Sequence, residues 1–107
     1  MTGKYSFGPH HLSPSGLCFG TMQFGAGASK SDSAEMYNAC REAGINFFDT
    51  AYVYNEGRSE EILGTLIAKE REDIILVTKA GAVGGSSAKN IRSQLETSLT
   101  RMSQDYT

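Results

Sequence analysis

The sequence predicts an α/β domain built on a parallel sheet with crossover helices. Three observations carry that reading. Apolar runs and amphipathic stretches follow one another as strand, helix, strand, helix, strand, helix. The units recur roughly every 29 residues, a period suited to βα repeats. The apolar runs do not alternate cleanly with polar residues, as expected of strands covered on both faces.

Taken in order, "KYSFGPHHLSP" suggests a short hairpin around Gly8-Pro9 ahead of the first unit. "GLCFGT" (16–21) is the first strand. "SKSDSAEMYNACREAG" is the first helix, with an apolar stripe of Met36, Cys40 and Ala43. Asp32 and Glu35 have capping-box spacing, and Gly44 supplies the C-terminal stop. "INFFDT" (45–50) is the second strand. "SEEILGTLIAKE" is the second helix, with Ser59 as its N-cap, Glu60 and Glu61 favouring the positive end of the dipole, and Leu63, Leu66 and Ile67 as its apolar face. "DIILVTK" (73–79) is the third strand. "SSAKNIRSQLETSLTRM" is the third helix, with Ile91, Leu95, Leu99 and Met102 on one side. "QDYT" looks like the beginning of a fourth strand.

Composition narrows the class. The 107 residues suffice for one small domain. Hydrophobic residues make up 39% and charged residues 21%, which excludes a disordered chain. A formal charge of -2 without a basic block gives no footing for a nucleic-acid partner. No apolar run is long enough to span a bilayer. "MTGKYSFGPHHLSPSG" lacks the apolar core of a signal peptide, so a cytoplasmic location is expected. Cys18, in a strand, and Cys40, on an apolar helix face, are then expected to be buried free thiols. His10 and His11 are adjacent with no cysteine near them, so no metal site is expected.

Two architectures accept the pattern: an open doubly wound sheet, or a barrel of eight units. Eight units need well over about 200 residues, so a barrel would make this chain its front portion. An open sheet of three strands and a stub would leave exposed edges that invite unwanted pairing.

In either architecture functional groups gather at the carboxyl ends of the strands. Asp49 ends the second strand, Lys79 ends the third, and Tyr54 lies in the loop between Asp49 and the second helix. An acid and a lysine at neighbouring strand ends can face each other, and a tyrosine in the intervening loop can reach the ammonium. The ammonium would stabilise phenolate while the carboxylate holds the lysine. That arrangement suits a phenol donating a proton to a carbonyl oxygen. Each residue alone has an ordinary explanation: a turn former, a packing ring, a solvated lysine. Three at these registers in consecutive units are harder to assign to chance. Tyr52 competes with Tyr54 for the phenol role.

"GINFFDTAYVYNEGRSEEILG" closely resembles the aldo-keto reductase signature, in which Asp-Thr-Ala-x-x-Tyr precedes a glycine and a Ser-Glu-Glu helix start. "FGTM" (19–22) resembles that family's first-strand end, "IILVTK" its lysine strand, and "NIRSQLETSLTRMSQDYT" its third helix and approach to the fourth strand. The resemblance covers nearly the whole chain. It implies a (β/α)8 TIM barrel, of which residues 1–107 supply the N-terminal hairpin, three βα units and the start of the fourth strand.

It also implies an oxidoreductase that reduces aldehydes or ketones with NADPH, NADH being possible. Tyr54 would be the general acid, Lys79 its partner and Asp49 the partner of Lys79. Gly20, Thr21 and Met22, with Asp49, would lie along the cofactor, and Met22 would also edge the substrate pocket. Tyr52 falls on a variable position and ranks below Tyr54. The family's fourth catalytic residue, a histidine ending the fourth strand, would lie beyond Thr107. His10 and His11 cannot replace it, because the hairpin would put them at the other end of the barrel. By itself the truncated chain is expected to be inactive. Two rival functions stand beside the reductase: a cofactor-bound regulatory or sensor barrel with little turnover, and a small open α/β domain without catalysis.

Overall fold

A computed structural model describes residues 12–107. The hairpin expected around Gly8-Pro9, with His10 and His11, lies outside the described residues. The elements are β1 (Phe19–Gly20), α1 (Lys30–Glu42), β2 (Phe47–Asp49), a 3-10 turn (Tyr54–Gly57) running into α2 (Arg58–Ile67), a 3-10 stretch (Ala68–Asp73), β3 (Ile75–Val77) and α3 (Ala88–Met102). The sheet order is β1-β2-β3, parallel throughout, with Phe19 opposite Phe48, Gly20 opposite Asp49, and Asp49 opposite Val77. The paired segments are shorter than the apolar runs that contain them. "QDYT" forms no strand; Thr107 instead donates its hydroxyl to the Leu76 carbonyl at 2.8 Å, and the Arg71 guanidinium lies 3.8 Å from the Tyr106 ring centroid.

Strand alternation sorts the side chains. Phe48 and Leu76 turn toward the helices and are buried with Phe24, Tyr37, Leu63, Ile67, Ile74 and Met102. Phe19 packs on the same side, its ring 6.2 Å from that of Phe48. Residues one step away along each strand, Cys18, Phe47, Asp49 and Val77, belong to the opposite face, where Phe47 and Val77 are half-buried. Burial on both faces, expected from the apolar runs, is therefore complete only on the helix side within the described residues.

Several local expectations change. α1 is capped by Ser29, whose hydroxyl accepts from the Asp32 N–H while the Asp32 carboxylate accepts from the Ser29 N–H. The capping box thus begins three residues before the Asp32–Glu35 pair. Gly44 is a stop as expected, at φ +86° beyond a C-cap at Ala43. Ala43 is exposed, and Tyr37 supplies the burial instead. Gly57 caps α2 at φ +93°, and Ser59 is turned inward. On α3 the buried face is Gln94, Ser98 and Met102, while Ile91 and Leu95 are exposed. The reason is the β3–α3 loop: the Gln94 amide accepts from the Gly81 N–H at 2.8 Å and donates at 2.8 Å to the Val83 carbonyl, which Asn90 also reaches at 2.7 Å. Polar satisfaction there outweighs apolar area.

Cys40 is buried as expected, but Cys18 is exposed, because it stands on the face that the helices do not cover. Burial pushes the Cys40 thiol up; partial desolvation does so at the exposed Cys18, where the Asp49 charge adds to it. Alkylation of the folded protein is expected to label Cys18 first, faster at alkaline pH, and Cys40 only in denaturant. Mass mapping that finds Cys40 labelled in the native state would contradict this packing.

A second prediction concerns pH. Glu70 accepts a hydrogen bond from Arg41 at 3.1 Å and a short one from the Tyr37 hydroxyl. Arg41, then Tyr37, hold the Glu70 carboxyl below its usual 4.5. The stability this contributes is full above that value and is lost as pH falls through the lower, folded-state one. Burial, then Glu70, push the Tyr37 phenol above 10.0. That contribution is full below about pH 10 and is lost at higher pH. Melting temperature should therefore decline at both extremes, and Glu70→Gln should flatten the acid limb. An unchanged acid limb in that variant would remove Glu70 from the account.

Candidate active site

The parallel register places Asp49 and Lys79 on the same face at neighbouring strand ends. Lys79 Nζ donates to Asp49 Oδ1 at 2.8 Å, to Oδ2 at 2.7 Å and to the Thr50 carbonyl at 3.0 Å. It also lies 4.9 Å from the centroid of the Tyr54 ring. Partial burial pushes Lys79 down, but hydrogen bonding to Asp49 and Tyr54 outweighs it and raises the lysine above its ordinary 10.5. The ammonium is thus secured as a cation beside a phenol. It remains half-exposed, so it is within reach of a small molecule. Tyr52 turns elsewhere, its ring 4.4 Å beneath the Arg101 guanidinium.

Asp49 is fixed from behind. Its carbonyl accepts from the Thr21 N–H and the Thr21 hydroxyl, both at 2.9 Å. Thr21, Thr50 and Ser59 are fully buried, and the Ser59 oxygen lies 3.0 Å from the Thr21 hydroxyl and 2.8 Å from that of Thr50. Thr21 is therefore occupied in holding Asp49 and offers no free hydroxyl to a ligand. Gly20 and Met22 are exposed beside it; nothing lies within 4 Å of where a Gly20 Cβ would stand.

Four further residues, Asn55, Glu56, Glu60 and Arg101, shape this region. Asn55 and Glu56 adopt left-handed φ values of 54° and 57° directly after Tyr54. Asn55 is a residue type that tolerates this conformation, and its amide donates to the Met22 carbonyl at 2.6 Å and the Phe24 carbonyl at 2.8 Å. It ties the Tyr54 loop to the loop after β1. Glu60, read as a dipole partner, is fully buried and paired with Arg101 at 3.0 Å. The signal was available: Glu60 stands three and seven residues before Leu63 and Ile67, so it shares their apolar stripe. No local pattern announces Arg101, which stands 41 residues later, on α3. Among the described residues no group of histidine, cysteine, aspartate and glutamate is arranged to hold a metal, and no helix is long and apolar enough to cross a membrane.

Comparison with known proteins gives a consistent result. The model of the "Aldo/keto reductase family" matches residues 16–107. The chain is 41% identical over 92 residues to aflatoxin B1 aldehyde reductase member 2 of Rattus norvegicus, covering 81% of this chain and 25% of that protein. It is 38% identical over 111 residues to an Arabidopsis thaliana protein named "Probable voltage-gated potassium channel subunit beta", covering 90% of this chain and 34% of that protein. The fold superposes on an aldo-keto reductase from Bacillus halodurans in its holo form with a TM-score of 0.80, at 32% identity, over 99% of this chain and 38% of that one. The chain thus spans about a third of the length of such relatives.

Proposed function

The chain belongs to the aldo/keto reductase family, and from that membership we propose that it forms the first part of a (β/α)8 barrel reducing small aldehydes or ketones with NADPH, or NADH, to alcohols. The observation that carries the proposal is the bidentate Asp49–Lys79 pair with Tyr54 beside the ammonium. Reduction of a carbonyl needs a proton delivered to oxygen as negative charge develops there. Tyr54 supplies it. Lys79, held as a cation, stabilises the phenolate left behind, and Asp49 keeps the lysine in place.

The residues present fit a nicotinamide cofactor: beside the Asp49–Lys79 pair the surface is open at Gly20 and apolar at Met22, which is 54% exposed. Gly20, Met22 and Asp49 would hold it, with Thr21 acting through Asp49. When bound, the cofactor supplies hydride to the carbonyl carbon. Met22, mobile in its rotamers and polarisable, suits a wall that accepts many small carbonyl compounds.

Similarity to the Arabidopsis protein favours one rival, a barrel that holds cofactor and regulates a partner with little turnover. Single-turnover mixing of the full-length protein, loaded with NADPH, with an excess of 4-nitrobenzaldehyde separates the two. Rapid loss of reduced cofactor with formation of the alcohol supports the reductase; tight cofactor binding with no oxidation supports the regulatory barrel.

A further inference from the structure

We infer that the buried Glu60–Arg101 ion pair positions the proton-donating group, a role that rests on the carbonyl-reduction proposal above. Glu60 Oε2 accepts the Thr78 hydroxyl at 2.6 Å, and Oε1 accepts Arg101 Nη1 at 3.0 Å. The same Nη1 donates to the Tyr52 carbonyl at 2.8 Å, and the guanidinium plane covers the Tyr52 ring. The Tyr52 N–H in turn donates to the Lys79 carbonyl at 3.0 Å. These contacts close a circuit: Glu60, Thr78, Lys79, Tyr52, Arg101 and back to Glu60. It grips the segment just beyond β3, one residue before Lys79, and the loop two residues before Tyr54. Both segments that carry the reacting groups are therefore fixed from behind by one ion pair, which itself touches no reacting atom.

Gly57 makes room for it. A Cβ there would stand 2.6 Å from Arg101 Nε and 2.7 Å from its Cζ. The glycine is thus needed twice, for its positive φ and for the guanidinium. Stability alone is a weak reason for such a pair, since well-packed apolar residues often do as well in its place. Geometry is a better one. The two N–H bonds of one planar Nη1 hold two acceptors in a fixed relation, which the rotating ammonium of a lysine at the same position would not. Misplacing a reacting group by about 1 Å can cost on the order of a hundredfold in rate.

The test uses the full-length protein, NADPH and 4-nitrobenzaldehyde. Arg101→Lys keeps the charge and loses the planar guanidinium and its stacking. Glu60→Gln leaves a buried cation uncompensated and is expected to melt earlier; Glu60→Gln with Arg101→Met removes both charges and should recover that loss. The expectation for Arg101→Lys and for the double variant is a kcat lower by about tenfold or more, a KM changed by less than about twofold, and a displaced alkaline limb of the pH–rate profile. NADPH affinity, read by fluorescence titration, should stay at the parent value. Parent kcat and parent pH profile in both variants would overturn the inference and leave the pair a structural one. Tyr54→Phe, run beside them, separates the two levels. If it loses turnover while Arg101→Lys does not, only the positioning role fails. If Tyr54→Phe itself turns over normally, the reduction proposal fails first.

Discussion

Replacing Tyr54 by phenylalanine in the full-length protein is expected to lower turnover about a hundredfold or more while cofactor affinity stays near the parent value. The variant keeps the ring and therefore its packing against the Lys79 ammonium, 4.9 Å from the ring centroid. It loses only the proton. Lys79→Met should act in the same direction, because the phenolate formed during transfer would lose its cation. Lys79→Met also leaves the Asp49 carboxylate, which now receives two hydrogen bonds from one ammonium, without that partner. Its effect should therefore extend to the local fold. The pH dependence follows from the lysine. Raised by Asp49 and Tyr54 against the pull of burial, it keeps its charge beyond 10.5, so the support it gives the phenol fails only on the alkaline side. Turnover in the parent should fall on the alkaline side, and this limb should be displaced in Lys79→Met, which removes the cation beside the phenol. Near-normal turnover in Tyr54→Phe would break the proposal at its chemical link.

That Asp49, Lys79 and Tyr54 meet was legible in the sequence because each belongs to a repeating unit, and parallel βα units bring the ends of their strands to one edge. The register Asp49 to Val77 then puts Lys79, two residues on, on the face of Asp49. What was not legible depends on contacts that local pattern does not encode. Ser59 has the residue type of an N-cap, yet Gly57 takes that place, because the loop after Tyr54 turns through two left-handed residues and delivers Ser59 to Thr21 and Thr50. Cys18 lies in an apolar run, yet it faces the side of the sheet that the described helices leave open. The stripe Ile91–Leu95 on α3 reads as a core face, but the turn preceding α3 demands the Gln94 amide. In each case the surroundings of the element, rather than its own residue pattern, decided between two locally allowed outcomes.

The packing of α2 against α3 gives the second large effect. Gly64→Ala, in the interior of α2, is expected to destabilise the protein although helix propensity favours the change by about 1 kcal/mol. An alanine Cβ at that position would stand 2.4 Å from the Met102 carbonyl oxygen and 2.5 Å from its Cα. Those are backbone atoms at the end of a helix, so no side-chain rotation relieves the contact. Relief requires the end of α3 to move outward, which uncovers Met102, now fully buried, and pulls Arg101 away from Glu60. Overpacking of this kind costs roughly 1–3 kcal/mol, and partial exposure of a methionine adds on the order of 1 kcal/mol. The sum exceeds the propensity gain, leaving a net loss of about 1–3 kcal/mol and a melting temperature lower by several degrees. Gly44→Ala provides the comparison. There nothing lies within 4 Å of the added Cβ, but φ is +86°, so the cost is conformational alone, about 1 kcal/mol. At Gly64 the backbone is permitted and the space is missing; at Gly44 the space is free and the backbone is not permitted. Thermal melts of the two variants should therefore place Gly64→Ala below Gly44→Ala. A Gly64→Ala protein that melts above the parent would show that α3 yields without cost and that its close approach to α2 is not what holds the two helices together.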